Sequence, residues 1–226
     1  NGVNLIKQSQ NTSYSDGMII KYNATGEVEW AKGIGGTRSN VNIQSVAVCS
    51  NGGYIIGGYF ESSSIDLEDG SILENNGYTD GMIIKYSVNG EIEWAKTIGG
   101  AKNETINSVA ATNDGGYIVV GKFSSTNIDL GNGVVLTNNG GNDGMLIKYS
   151  AEGRVERAQV IGGEGSDSRD SVAACSDGGY VVCGIFSSQK LAIGDGKSLN
   201  LTSSYTTTAG MLIKYNYNGN VEYSNV

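Results

Sequence analysis

Acidic residues in glycine-turned loops are the first places in this chain where chemistry could sit. Asp66, Glu68 and Asp69, in the run DLEDGS, set oxygen ligands partly at alternate positions, as a calcium loop does. A full loop closes with a bidentate Glu twelve positions on. None follows here, and the matching run DLGNGV, which begins at Asp129, keeps less of the spacing. The run therefore reads first as a solvated polar turn and second as a calcium ligand set; no other cofactor is expected. Asp167, Arg169 and Asp170 read as a charged turn. Paired carboxylates facing a cleft hydrolyse glycosides, and Glu27, Glu29, Glu91 and Glu93 are acids to weigh. They recur with the repeat, however, and a residue that recurs this way is usually structural. The chain has no histidine, which removes Ser-His-Asp and Cys-His catalysis and His-ligated zinc. Four scattered arginines, Arg38, Arg154, Arg157 and Arg169, make no cluster for a substrate carboxylate. Cys49, Cys175 and Cys183 show no CxxC spacing and read as small strand residues. Counting across the SDGG turn sets Cys175 opposite Tyr180, so a Cys175–Cys183 bridge is not expected.

What must position these groups is a repeat. DGMIIKYSVNGEIEWAKTIGG, from Asp80, is written again from Asp16 and from Asp143, and in shortened form from Ala209. Self-similarity at a fixed spacing of this size marks a repeat architecture. The IGG runs (Gly35-Gly36, Gly99-Gly100, Gly162-Gly163) lack the following GK[ST] and helix of a phosphate loop, and read as loop geometry.

Each copy has one internal order. An alternating run such as SVAAT or SVAAC leads into SNGG, NDGG or SDGG, turns whose two central residues are expected at positive φ. GYIIGGYF, GYIVVGKF or GYVVCGIF then forms a strand covered on both faces. A Ser/Thr-rich segment with its own Asp-Gly or Asn-Gly turn implies a small extra hairpin. GM(I/L)IKY is the third strand. The fourth alternates, with Val28, Trp30 and Lys32 on one side and Glu29 and Ala31 on the other. Four antiparallel strands per copy are the unit of a β-propeller blade. Such a sheet hides its faces only against neighbouring copies, so Met18, Met82, Met145 and Met211 are expected between sheets.

The expected fold is all-β: a β-propeller of four-stranded antiparallel blades, about three and a half in this chain. Residues 1–226 form a single repeat domain with a half blade at 1–36 and blades at about 42–99, 106–162 and 169–226. NGVNLIK is read as the extra hairpin strand of the half blade. An arc of this kind is completed by further blades or by a second chain; the alternative is four-bladed closure with the half blade standing in for a whole one.

At these residues the chain resembles the SBBP-type β-propeller repeats of bacterial and archaeal surface proteins, whose pattern runs DGGYIVVG, a Ser/Thr-rich gap, then DGxxIKYxxNGxxEWAKxIGG. The resemblance implies a secreted or cell-surface propeller and no particular enzyme activity. It departs at Arg157 (for tryptophan), at Ala209 (for aspartate) and after Tyr223, where the IGG is absent.

Function is accordingly expected to be non-catalytic: a surface module that binds protein or glycan, or acts as a spacer. A glycan-active hydrolase using acids at the propeller mouth and a self-assembling structural repeat are the alternatives. Partner contacts are sought in the segments after Phe60, Phe123 and Phe186, at Tyr78, Tyr205, Asp66 and Asp129, because loops on a rigid scaffold carry recognition. Net charge of −8 argues against nucleic acid, and no apolar run is long enough to insert in a membrane. The first ten residues show neither a basic nor an apolar leader region, so no signal peptide is read in them. The sequons at Asn11, Asn23, Asn103 and Asn200 are read as turn residues.

Overall fold

A computed structural model describes residues 14–36, 39–201 and 207–226. Tyr205, Arg38, Asn11 and the NGVNLIK strand lie outside the described residues. Among the described residues every regular element is a strand, and every strand pairing is antiparallel.

β1 (Gly17–Tyr22) and β2 (Val28–Ile34) form a two-stranded sheet. β3 (Val41–Val48) and β4 (Tyr54–Phe60) open the first full sheet; the small hairpin β5 (Ser64–Asp66) and β6 (Ile72–Glu74) stands apart; β7 (Asp80–Tyr86) and β8 (Ile92–Ile98) complete the sheet. The second copy repeats this with β9 (Glu104–Ala111), β10 (Tyr117–Phe123), the hairpin β11 (Asn127–Asp129) and β12 (Val135–Thr137), β13 (Asp143–Tyr149) and β14 (Val155–Ile161). The third uses β15 (Asp167–Ala174), β16 (Tyr180–Phe186), the hairpin β17 (Lys190–Gly194) and β18 (Lys197–Asn200), β19 (Ala209–Tyr215) and β20 (Val221–Asn225). Each full sheet is a meander in strand order first, second, third, fourth, so first and fourth strands are its two edges.

Turn chemistry sets these registers. In the SNGG, NDGG and SDGG turns only the glycine takes positive φ (Gly52 79°, Gly115 84°, Gly178 83°), a correction to the two-residue turn expected from sequence. The amide of Gly52 donates to the Cys49 carbonyl and the amide of Cys49 to the Gly53 carbonyl, the pattern of a type I turn followed by a left-handed glycine. Asn51, Asp114 and Asp177 accept the next-but-one amide and so keep their own φ negative. Both central residues are at positive φ in two outer hairpins, at Asn132-Gly133 and Asp195-Gly196. Tyr180 faces Ala174 rather than Cys175, because the glycine adds a residue to the turn; Cys183 faces Ser171, and the three cysteines are free.

The clean alternation expected in the fourth strand is broken. A bulge opposite Tyr22, Tyr86, Tyr149 and Tyr215 recurs in all four copies. It brings Glu29, Glu93, Glu156 and Glu222 onto the lysine of IKY: Lys21–Glu29 is 2.5 Å, Lys85–Glu93 2.8 Å, Lys148–Glu156 3.3 Å and Lys214–Glu222 3.2 Å. Lys85, Lys148 and Lys214 are buried to the ammonium, and each also donates to the carbonyl of the following tyrosine. A buried ammonium is tolerated only with such partners.

Three hydrophobic cores lie between successive sheets. One joins Ile34 to Val41, Ile56, Met82, Ile84 and Tyr86; the next joins Ile55 and Ile83 to Val109, Val119, Met145 and Ile147; the last joins Ile118 and Leu146 to Val172, Val182, Met211 and Ile213. Met82, Met145 and Met211 are buried there as expected. Met18 is exposed, because nothing described covers the outer face of the first pair.

Tryptophan clasps each sheet to the next. Trp30 packs on Tyr54 and Tyr86 (ring centroids 5.6 and 6.4 Å) and its indole N–H donates to the Val88 carbonyl at 3.3 Å. Trp94 repeats this on Tyr117, Tyr149 and the Ala151 carbonyl, at 3.1 Å. At the next boundary Arg157 replaces the ring and still donates, to the Tyr217 carbonyl at 3.4–3.5 Å. The glycine of the facing turn (Gly90, Gly153, Gly219) leaves the space these side chains need.

Candidate functional site

First strands β3, β9 and β15 lie side by side, and each carries a β-bulge at the same repeat position. Ile43 pairs with Gly58 and Ser45 with Gly57, leaving Gln44 as the extra residue; Asn107 and Asp170 are the extra residues of β9 and β15. Bulges re-aim side chains, and these three turn their amide or carboxylate groups into one cleft. The cleft holds about 380 Å³ and is lined by Gln44, Tyr59, Thr105, Asn107, Lys122 and Asp170.

A residue two positions earlier fixes each polar group. Gln44 Nε2 donates to Asn42 Oδ1 (2.6 Å), Thr105 Oγ1 to Asn107 Oδ1 (3.0 Å) and Ser168 Oγ to Asp170 Oδ1 (2.9 Å). Asn107 Nδ2 also donates to the Arg169 carbonyl at 2.9 Å, tying the second sheet to the third at the cleft wall. One carboxylate, one ammonium, a phenol and two amides converge from three sheets. Such a set recognises a polar group that both donates and accepts hydrogen bonds. It holds no nucleophile paired with a base, the arrangement that acyl-transfer chemistry needs.

The acids singled out in the sequence lie elsewhere. Glu29 and Glu93 are engaged by lysines, and Glu27 accepts from Asn23 Nδ2 and Thr25 Oγ1, which hold its carboxyl below the usual range. These glutamates and Glu91 belong to the fourth strand or its turn, at the sheet edge opposite the first strands that form the cleft. Glu68 pairs with Lys32 at 2.5 Å, Asp69 Oδ1 accepts from the Ser71 amide and hydroxyl, and Asp66 lies in β5. Among the described residues no group of three or more His, Cys, Asp or Glu side chains converges. Asp129 is exposed in β11 and turns back onto the Gly131 amide at 2.8 Å; Tyr78 is exposed.

The serines after Phe123 and Phe186 are structural. Ser125 Oγ accepts from the Lys102 amide and Ser188 Oγ from the Gly165 amide, each at 2.8 Å, stitching the connector between sheets. Asp167 and Arg169 are buried in β15, a correction to the charged turn expected there. Asp167 accepts from the amides of Gly163, Ser187 and Ser188. Arg169 donates to the carbonyls of Ser168 (2.7 Å) and Ile161 (2.6 Å). Burial lowers its pKa to about 10, against the opposing field of Asp167. The cleft itself escaped the sequence reading. Its signal is the polar residue recurring one place before Ser45, Ser108 and Ser171 in otherwise small or apolar runs.

No protein-family profile matches the chain. It is 29% identical over 159 residues, 66% of its length, to a WD repeat-containing protein, L264, of Acanthamoeba polyphaga mimivirus. It is 26% identical over 174 residues, 75% of its length, to the regulatory protein FlaEY of Caulobacter vibrioides. The chain has a β-propeller-like repeat fold. It spans 11% and 18% of those two proteins, less than a fifth of either. A solved structure of a protein of unknown function from Bacteroides caccae shows 11% identity at a TM-score of 0.31, over 92% of this chain and 93% of that one. In this propeller-like repeat the cleft sits along the first-strand edges of the sheets.

Proposed function

We propose that the chain is a non-catalytic β-propeller binding module whose cleft on the first-strand bulges takes a polar segment of a partner protein. The observation that carries this reading is the repeated bulge, which spends a register irregularity in three sheets to aim Gln44, Asn107 and Asp170 at one place. The WD-repeat likeness supports a protein-interaction role, and Lys122 with Asp170 offers an opposite-charge pair for peptide groups. Placement outside the cell or at its surface belongs to this reading through the resemblance to SBBP-type repeats.

The test is selection of a displayed library of random peptides on the immobilised chain, followed by affinity measurement on cleft variants. Lys122 and Asp170 are exposed, so Lys122→Ala and Asp170→Ala leave the fold intact. The combined variant should weaken selected peptides at least about tenfold, as loss of two charge-assisted hydrogen bonds does. Tyr78→Ala should leave affinity unchanged. Equal binding by the cleft variant, or turnover of glycosides by the wild type, would sink this reading.

A further inference from the structure

Two buried carboxylates meet at the boundary between the first and second full sheets. Asp80 opens β7 with its carboxyl over Gly99, and Glu104 opens β9 with Oε2 accepting the Gly100 amide at 2.7 Å. Both residues are 0% exposed. Asp80 Oδ2 accepts from the amide of Asn76 (2.8 Å) and from its Nδ2 (3.1 Å), while Oδ1 is buried with no hydrogen-bond partner. Glu104 Oε1 accepts from the amides of Ser124 and Ser125; Oε2 accepts from Gly100 alone, which leaves a lone pair open. Neither carboxylate has an ion pair among the described residues. Buried charge without a counter-charge is costly. Burial, with the field of Glu104 added, accordingly holds the Asp80 carboxyl above its usual range in the cation-free chain.

The other copies meet the same aspartate with side chains of their own. In the opening copy the Ser39 hydroxyl donates to Asp16 Oδ1 at 3.2 Å, and β3 begins with Val41 where β9 begins with Glu104. Between the second and third sheets the acid pair recurs: Asp143 lies over Gly162, and Asp167 accepts the Gly163 amide at 2.9 Å. Asp143 Oδ1 has no hydrogen-bond partner either. There, however, Arg169 runs its guanidinium along Gly144, and the fields of Asp167 and Asp143 both favour its charge. Asp167 is also saturated. Its Oδ2 takes the Ser188 hydroxyl (2.7 Å) besides the Gly163 amide, and its Oδ1 takes the amides of Ser187 and Ser188. In the second sheet Ile106 holds the place of Arg169 and packs on Gly81. The first boundary thus has the acids of the second without its cation.

We propose that Asp80 and Glu104 hold a divalent cation that takes oxygen ligands, Ca²⁺, and that this ion ties the first full sheet to the second at the Gly99–Gly100 peptide. A proton on Asp80 Oδ1 does not meet the need, because it turns an acceptor with no donor into a donor with no acceptor. A cation engages Oδ1 and the open lone pair of Glu104 Oε2 and cancels both charges. Asn76, whose side chain touches Asp80, brings a third side-chain oxygen. Ca²⁺ completes its shell with backbone carbonyls and water. The site is separate from the DLEDGS turn, and it does not rest on the bulge cleft or on what that cleft binds.

The experiment strips the full chain with a chelator and titrates CaCl₂ back to about 10 mM, above the range of roughly 10⁻⁴–10⁻³ M in which weak calcium modules bind. Calorimetry should count one Ca²⁺ per chain. Exchange protection of the amides at the start of β7 and β9 should rise by about tenfold at ten times the dissociation constant. Asp80→Asn keeps an acceptor for the Asn76 amide and should weaken Ca²⁺ at least about tenfold, whereas Asp143→Asn should bind as wild type does. Ile106→Arg copies the guanidinium of the third sheet and should abolish the response to Ca²⁺; if that variant does not fold, Asp80→Asn decides alone. Absence of binding up to about 10 mM would overturn the proposal, leaving water as the partner of Oδ1. Undiminished affinity in Asp80→Asn would overturn it too, because the ion would then sit elsewhere, as in the DLEDGS turn. So would a second ion that is lost in Asp143→Asn, since Arg169 would then not be the counter-charge.

Discussion

At Gly99 the carboxyl of Asp80 occupies the space a side chain would take, and Asp143 sits over Gly162 in the same way. Gly100 and Gly163 do likewise for a serine of the next sheet, Ser125 and Ser188 respectively. Aspartate and IGG are therefore one device, written nineteen residues apart: 99 − 80 and 162 − 143. Gly99→Ala should cost about 1–3 kcal/mol in urea denaturation, the range for forced overpacking. Asp80→Ala removes the obstacle. In a double-mutant cycle the pair should cost at least about 1 kcal/mol less than the sum of the single changes. Additive losses would mean that the glycine serves the backbone and not the aspartate.

At the level of strands and turns, hairpins were legible because Asn-Gly and Asp-Gly announce themselves locally. Bulges were not, since an unpaired residue is defined only by the register of two strands, and nothing in VNIQSVAV by itself shows that Gln44 has no partner. Arg169 misled for a related reason: a charge in DSRDS reads as exposed, yet in the buried strand two backbone carbonyls accept from its terminal nitrogens while its Nε has no hydrogen-bond partner. The turn aspartates show the same dependence on tertiary partners. Burial works against ionised Asp114, but hydrogen bonds from Thr112, Lys148 and the Gly116 amide outweigh it and pull its pKa to about 2. A depressed folded pKa stabilises above the ordinary carboxylate value, and the gain is lost as pH falls toward about 2. Wild type should therefore exceed Asp114→Asn in urea midpoint at pH 6, and the gap should close between about pH 4 and pH 2. Asp80 runs the other way. Burial raises its pKa despite the hydrogen bonds from Asn76, so its contribution favours the fold at low pH and fades as pH rises through the folded value. Asp80→Asn should show a gap of opposite slope, and parallel slopes for the two variants would contradict these environments.

Over the whole molecule, cohesion passes from each sheet only to the next, as in other repeat architectures. The spacing of the repeat made this readable from sequence. The unequal standing of equivalent residues was not, because burial at Met18 or Met145 depends on which neighbours exist, and the repeat itself is silent on that. Equivalent substitutions should consequently differ in reach. Trp94 clasps the first full sheet to the second through Tyr117, Tyr149 and the Ala151 carbonyl, so Trp94→Ala opens the middle of the stack. Trp30 holds only the two-stranded sheet to the first full one. Each change removes a half-buried ring packed on two tyrosines, which should cost less than the ~3–5 kcal/mol of a fully buried aromatic. Trp94→Ala should split the unfolding transition and lower its denaturant slope, since the halves then unfold separately. Trp30→Ala should leave that slope unchanged while exchange protection of the β1 and β2 amides collapses and that of β13 and β19 stays as in wild type. Identical profiles for the two variants would show one undivided cooperative core, in which a residue's place along the stack has no bearing on its effect.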